Sequence, residues 1–315
     1  MNIDLTEEAV EYGRVASRAF EAAGGDRLVQ QAELRPGDRS ALVSSTLAQL
    51  GAWDLDPAGS ADDVEAAAAL CQSAGYWAVP YPVAERLARP AGLDVDGLLV
   101  VPEVRPAAAI EGLDLRWAAV HLDGRAALAT AQPATTSPRK SAFVVPLELE
   151  PIDDLGAADV ARALILPCWT LLGMLDRAMD LTCAYVCERH QFGQALASFQ
   201  SVQFQLTDAE VERSGLAQLA RYALWSVAAG RPEALEDAVA LRLAAVEAAD
   251  VVFRVTHQLH GAIGFCDETA LSWVSRHSQP LRRLPMSRAA TEEALIGLLG
   301  RHGLTGLFHP AGGPT

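Results

Sequence analysis

The spacing of hydrophobic positions along this 315-residue chain changes twice. From residue 1 to about 90, apolar side chains recur at helical intervals in TEEAVEYGRVASRAFEAAG, SALVSSTLAQLGAW and SADDVEAAAALCQSAGYW. Thr6 is an N-cap candidate for the first of these, glycines stop it, and Pro82 stands at the start of a further short helix in PYPVAERLA. Between about Leu93 and Leu149 the helical period is lost. GLLVV, LRWAAVHL, RAALATA and SAFVVPLELEP read as short strands, with Asp123-Gly124 as a hairpin signal between the second and third. Five or six strands are expected, and so small a sheet needs helices against one side. From Asp153 the helical spacing returns over about 157–190, 201–229, 231–260, 267–277 and 287–301, with loops short enough for antiparallel neighbours. The expected organisation is mainly α: a helical domain over 1–92, a small β domain over 93–152 and a helical bundle over 153–315. ATAQPATTSPRKSAF reads as a mobile loop, and the tail GLFHPAGGPT as a loose end.

Composition narrows the possible functions. Half the residues are hydrophobic, which permits a large core, and the formal charge of −15 argues against a broad nucleic-acid surface. The acidic start, MNIDLTEEAVEYG, has no signal-peptide pattern. The longest apolar run, Ala163 to Leu175, is interrupted by Pro167 and Thr170 and is too short to span a bilayer. Five cysteines without a CxxC pair fit a reducing compartment, so the expected location is the cytoplasm, and Cys183 and Cys187 read as two packed thiols one helical turn apart. No P-loop, HExxH or GxSxG occurs. His190, His257, His260 and His277 lack the spacing of a metal site, and His257 and His260 read as solvent or interface residues. Arg282, Arg283 and Arg288 read as a solvated helix start, with a partner or CoA-phosphate contact as the alternative.

Two stretches carry candidate chemistry. ERHQFGQALASFQ, residues 188–200, places an arginine, two phenylalanines and two glutamines around Gly193, which ends or kinks the preceding helix. Arg189 offers a planar fork of donors suited to phosphate, Phe192 and Phe199 are placed to bracket a ring, and Gln191, Gln200 and Gln203 to bond its edges. The competing reading is a structural corner with Arg189 paired to Glu188. QLHGAIGFCDE, residues 258–268, is a small-residue loop after a long helix, open to close backbone approach or serving only as a connector, with Asp267 as the expected cap of the next helix.

Taken together, RHQFGQALASFQSVQFQLTDAEVE, some fifty helical residues, and QLHGAIGFCDETALSWVSR resemble the carboxy-terminal domain of the acyl-CoA dehydrogenase family. The family pattern is an Arg-x-x-Phe-Gly corner, a Phe-Gln helix start and a Gln-x-x-Gly-Gly-x-Gly-Phe loop; Ala262 replaces its second paired glycine. The helix–sheet–helix order matches as well. The resemblance implies an amino-terminal helical domain, a reduced middle β-sheet domain and a carboxy-terminal antiparallel four-helix bundle. It implies FAD as cofactor, held across a subunit interface, with Arg189 at the pyrophosphate. Gln191, Phe192, Leu196, Phe199 and Gln200 would line the adenine side, and Gln258, Gly261 and Ala262 would supply the loop.

The chain departs from the family in two respects. Most members carry a catalytic Glu shortly after an Arg like Arg276, but RHSQPLRRLPMSRAA holds no acid, and Pro285 falls at the expected position. The other known placement counts back from Arg189 to near Ala163, where Asp159 is the closest acid; Glu268 is the other weak alternative. The middle sheet is also short and lacks the family's Thr-Glu-Pro, Gly-Ser and Trp-Ile segments. These losses resemble the non-catalytic subunit of heteromeric actinobacterial dehydrogenases acting on steroid side-chain CoA thioesters. A complete catalytic subunit is then the expected partner, binding most of the acyl-CoA substrate, in an α2β2 assembly. The alternatives are a homo-oligomeric flavoenzyme with a displaced base and a non-enzymatic helical scaffold.

Overall fold

The computed structural model describes residues 2–132 and 142–303, so the expected loop across 133–141 and the expected loose tail lie outside the described residues. Five helices come first: α1 (Glu7–Ala23), α2 (Arg27–Leu34), α3 (Arg39–Gln49), α4 (Ala61–Tyr76) and α5 (Val83–Leu87). Thr6 caps α1 through its hydroxyl, which accepts from the Ala9 N–H, and Ser60 caps α4 in the same way through Asp63. A five-stranded sheet follows, made of β1 (Gly97–Val100), β2 (Ala107–Ala108), β3 (Trp117–Val120), β4 (Ala126–Ala131) and β5 (Val145–Ile152), in the order β1-β3-β4-β5-β2. β1 and β3 are parallel and the other pairs antiparallel. The β3–β4 turn uses Gly124 at φ +93°, where the Asp-Gly signal places it.

The remaining helices are α6 (Ala157–Glu188), α7 (Gln200–Ala228), α8 (Ala234–His260), α9 (Ala270–His277), α10 (Gln279–Arg283) and α11 (Arg288–His302). By length and composition α6 is apolar enough to cross a membrane, but 78% of its most apolar window is buried inside the protein. It is the core helix, packed against α4, α7, α8 and the sheet. One large apolar cluster runs through all the helical layers, and a smaller one lies under the sheet around Leu99, Ile110 and Trp117.

Two features fasten the amino-terminal helices to the rest. Gly75 of α4 and Gly173 of α6 face each other so closely that a Cβ on Gly75 would lie 1.9 Å from the Thr170 carbonyl oxygen, and one on Gly173 would lie 1.9 Å from that of Gln72. Arg39 is the second fastening. Only 2% exposed, it donates to the carbonyls of Pro80 (2.8 Å), Glu111 (2.6 Å) and Ala109 (3.1 Å) and lies over the Phe143 ring at 4.0 Å. Cys183 and Cys187 are both exposed, so they are not the packed pair their spacing suggests; α6 turns that face outward near its end.

Gly173→Ala should cost about 3 kcal/mol or more, because the methyl group meets backbone that cannot yield. Gly215, exposed in mid-α7 with open space where a Cβ would be, provides the contrast. Gly215→Ala should gain up to about 1 kcal/mol of helix propensity. Chemical denaturation of the two variants beside the parent checks the opposite signs.

Candidate functional site

At the end of α6 the chain forms a hairpin instead of a simple helix corner. β6 (His190–Gln191) pairs with β7 (Gln194–Ala195) around Phe192-Gly193, at φ +52° and +83°. Glycine adopts this conformation freely, but for a bulky residue it costs of order 1–3 kcal/mol. The turn carries the Phe192 ring outward, 90% exposed, and sets it edge-on to Phe199 at 6.2 Å and 85°. The two rings therefore meet as an L-shaped corner and do not bracket a third ring between them. The Leu196 N–H donates to the Arg189 carbonyl at 2.8 Å, closing the hairpin. The Arg189 side chain is exposed and forms no ion pair with Glu188 or any other described residue. Gln191 and Gln200 are exposed and Leu196 is half-buried, whereas the Gln203 amide is engaged with the Ala197 carbonyl at 2.9 Å.

The second stretch lies at the same end of the bundle. Tyr185 of α6 stacks on His260 at 4.4 Å, and its hydroxyl donates to the His260 carbonyl at 3.5 Å. α8 then stops at Gly261, whose φ of +66° and ψ of −146° suit glycine. A Cβ there would meet nothing within 4 Å, so this glycine meets a backbone requirement and not a crowding one. Gln258, Gly261, Ala262 and Phe265 are exposed. His257 stacks on Phe265 at 4.3 Å and His260 is buried, so neither is the solvent residue its spacing suggests; each has a ring to lie on. Asp267 does not cap α9 either. Thr269 is the residue before the helix, while the Asp267 carboxylate pairs with Arg276 at 2.8 Å and its carbonyl accepts from the Trp273 indole at 2.8 Å. Arg282 and Arg288 are paired with Asp250 and Glu247 of α8, which corrects the solvated helix start expected for them.

A separate cavity of about 130 Å³ lies where the α4–α5 connection, the edge of the sheet, α6 and α10 meet. Ala163 and Pro285, the two positions where a catalytic carboxylate is expected, both line it. Neither residue has a titratable side chain. Asp159 is paired with Arg162 in the first turns of α6, Glu268 is exposed beyond the glycine loop, and neither lines the cavity. The carboxyl group in the cavity wall is Glu85, from α5. Burial pushes its pKa up, its own backbone N–H and the charge of Arg39 opposing the rise. Nothing in PYPVAERLA distinguishes Glu85 from an ordinary polar helix residue, so the sequence pattern passes over it. Pro167 and Met174, both in the wall, are 22 and 15 residues from Arg189 along one helix, about 33 and 23 Å away. The outer corner and the inner cavity are thus two separate places on α6.

Residues 156–284 match the family model for the acyl-CoA dehydrogenase C-terminal domain. This part of the chain is similar to acyl-CoA dehydrogenase carboxy-terminal domains. YngJ of Bacillus subtilis, a probable acyl-CoA dehydrogenase, is 34% identical over 108 residues, 34% of this chain and 28% of that protein. The match thus spans less than a third of the relative's length. The solved ChsE4-ChsE5 complex from Mycobacterium tuberculosis contains a chain of the same fold, with a TM-score of 0.75 at 19% identity over 97% of this chain and 100% of that one. A variant of the Tcur3481-Tcur3483 steroid ACAD gives a TM-score of 0.72 at 22% identity over 94% and 98%. The fold is the acyl-CoA dehydrogenase fold.

FAD is the cofactor that goes with this family, and the chain offers two places to test it against. The outer corner fits the adenine and pyrophosphate half: an unpaired guanidinium, an outward aromatic ring held on a strained turn, exposed amides and an open glycine. The inner cavity does not fit the flavin ring, being well below the roughly 300–1,000 Å³ of ordinary small-molecule pockets.

The two loop histidines make stability depend on pH. Burial holds both imidazoles below the usual histidine range, and for His257 the nearby His260 and Arg282 act in the same direction. A depressed histidine pKa means the unfolded chain binds more protons. The associated stability is therefore full above the unfolded pKa of about 6.5 and is lost as pH falls below it. Melting temperature should decline from pH 6.5 to 5, and less steeply in His257→Gln.

Proposed function

We propose that this chain is the non-catalytic subunit of a heteromeric acyl-CoA dehydrogenase. Its Arg189 corner holds the adenine and pyrophosphate end of an FAD whose ring lies in a partner subunit. One observation carries this reading: the residues suited to FAD face outward at one end of α6, while Ala163 and Pro285 stand at both base positions of a cavity too small for a flavin ring. An outward corner on a chain without a base of its own suits a neighbour's flavin.

When bound, FAD accepts the hydride removed from the β-carbon of the acyl thioester. The catalytic partner contributes the base that takes the α-proton, since Pro285 and Ala163 stand at the two base positions here. This chain contributes binding and alignment. Arg189 places a fork of donors against the pyrophosphate. Phe192 and Phe199 supply the L-shaped wall for the adenine, Gln191 and Gln200 its edge contacts, and Leu196 its apolar floor. The Gln258–Gly261–Ala262 loop lets backbone approach closely. The assembly is α2β2, which pairs each outer corner with one complete flavin site. The substrate is a steroid side-chain CoA thioester; its support is the likeness of fold to the steroid ACAD pair.

The test is co-expression with an acyl-CoA dehydrogenase chain encoded beside this one, followed by native mass measurement and flavin quantification. The expected result is a yellow complex with one FAD for each pair of unlike chains, active on a steroid side-chain CoA, while this chain alone is colourless and inactive. Acyl-CoA oxidation by the purified chain alone overturns the reading.

In the complex, Arg189→Ala should weaken FAD retention by roughly 10- to 150-fold, the equivalent of a charge-assisted contact of about 1.5–3 kcal/mol. Flavin release followed by fluorescence measures it, and unchanged retention removes Arg189 from the site.

A further inference from the structure

The second half of α6 carries a further group of reactive side chains, independent of the flavin reading. Asp176, Asp180, Cys183 and Cys187 follow one another at intervals of four, three and four residues, so they form one stripe along the helix. Both cysteines are free and exposed. Cys183 lies in an open groove between α6 and α7. The groove is walled by Met179, Leu206 and Val211 and by the carboxyl groups of Asp176, Asp180 and Glu210. Arg213 brings one guanidinium to this wall and bonds to Asp176 at 2.7 Å and Glu210 at 2.6 Å. Asp180 accepts from the Tyr76 hydroxyl at 2.7 Å.

The two thiols are spaced wrongly for a disulfide. Residues four apart on a helix hold their Cβ atoms about 5–6 Å apart, whereas a disulfide needs about 3.5–4.5 Å. Closing one would unwind the helix, and α6 runs unbroken through Cys187 to Glu188. A single larger atom bonded to both sulfurs spans the wider gap with the helix intact. The donor set narrows which atom that is. No group of three or more His, Cys, Asp or Glu residues suited to a metal ion occurs among the described residues, so the pair offers two soft donors and no third. A structural zinc ion takes four ligands. An arsenic(III) centre that already bears one carbon substituent takes two. Charge narrows the choice again: three carboxyl groups against one guanidinium repel an anionic reagent and admit a neutral one. Burial raises the Cys183 pKa, with Asp180, Cys187 and Glu210 acting in the same direction, and so keeps the group a thiol at neutral pH. A thiol can displace an arsenic-bound hydroxyl as water, whereas disulfide exchange proceeds through the thiolate.

We propose that Cys183 and Cys187 form a dithiol site for monosubstituted arsenic(III) compounds, R–As(OH)2, held across one turn of α6 with R directed into the α6–α7 groove beside Val211. Two As–O bonds break and two As–S bonds form. Each thiol proton leaves with a hydroxyl group, so two waters are released. Arsenic stays trivalent and neither sulfur is oxidised, so the step needs no oxidant or reductant. Cys71 and Cys168 are buried, and Cys266 is exposed on a different segment, in the glycine loop, where it offers a single As–S bond.

Phenylarsine oxide, which hydrates to this form in water, is the probe, titrated into the full chain kept reduced with a phosphine. Native mass spectrometry should show one phenylarsenic unit per chain, a thiol-reactive dye should count two fewer thiols, and circular dichroism should show unchanged helix content. 2,3-Dimercaptopropanol should strip the arsenic, and millimolar glutathione should not. The second As–S bond is intramolecular and gains from a high effective concentration. Cys183→Ser and Cys187→Ser should therefore each weaken binding by about a hundredfold or more, Val211→Asp should weaken it severalfold, and Cys266→Ser should leave it unchanged. Melting curves show first whether each variant is folded; if none is, the thiol count and the two competitors on the parent protein decide. No one-to-one adduct, removal by glutathione, or parent-like binding in a folded Cys183→Ser, Cys187→Ser or Val211→Asp chain overturns the proposal. So does loss of binding in Cys266→Ser, or a Cys183–Cys187 disulfide formed by mild oxidation with the helix content unchanged.

Discussion

The crossing of α4 over α6 is the contact on which the other features depend. Gly75 and Gly173 let two backbones approach to a distance that no side chain could occupy. Such a contact leaves the two helices little freedom to slide, since a shift of one residue along either would drive a Cβ into a carbonyl. It fixes where Ala74, Thr170 and Met174 stand, and these are part of the cavity wall. It also fixes the direction of α6, and so where the hairpin at its far end points. Arg39 completes the arrangement from the other side by tying α3 to the α4–α5 connection and to the chain around Ala109 and Glu111.

A stiff 32-residue helix, crossed by α4 at its middle, sets the hairpin at its end apart from the cavity beside the crossing. Here the cavity is small, and the groups at both base positions are Ala163 and Pro285. The outer corner has kept its costs: a phenylalanine at positive φ and an aromatic ring exposed to water. Strain and exposed apolar surface are expensive to a folded chain and persist where something outside it is gained in return. A strained, exposed corner on a chain without either base is the feature expected of the proposed subunit that serves a neighbour's site.

Much of this was legible along the chain. Helix periodicity located α6, α7 and α8 to within a few residues, and Asp123-Gly124 located the β3–β4 turn, because caps, turns and amphipathic faces are local properties. Arg189, Phe192 and Gln258 stood out because two short motifs occur together at a characteristic separation. What was not legible depends on contacts between distant segments. Gly75 and Gly173 look like ordinary helix-weakening glycines until α4 and α6 are laid across each other. His257 and His260 look free until Phe265 and Tyr185 are folded onto them. Phe192-Gly193 reads as a helix stop because phenylalanine is a poor choice for the tight hairpin turn it makes. Glu85 carries no pattern at all, and only burial makes it notable.

The cavity and the corner also answer differently to electrostatics. At the corner, Arg189 is in high dielectric and its charge costs nothing while unpaired, so it can wait for a ligand that arrives only on assembly. Inside, Arg39 and Arg242 have no such freedom: each is held by neighbouring carbonyl dipoles while burial works against its charge. A residual enzyme cavity with no further use would be expected to lose such residues to apolar ones of similar volume, since replacing buried charges in that way is often neutral or stabilising. Arg39 has a structural reason to stay, because its three carbonyl bonds join separate segments. Arg242 has less of one. It holds two carbonyls of the α10 loop, a task a neutral donor would perform at lower desolvation cost, and its Nε remains unused. That excess of donors and charge over structural need is what sets the interior apart from a simple packing defect.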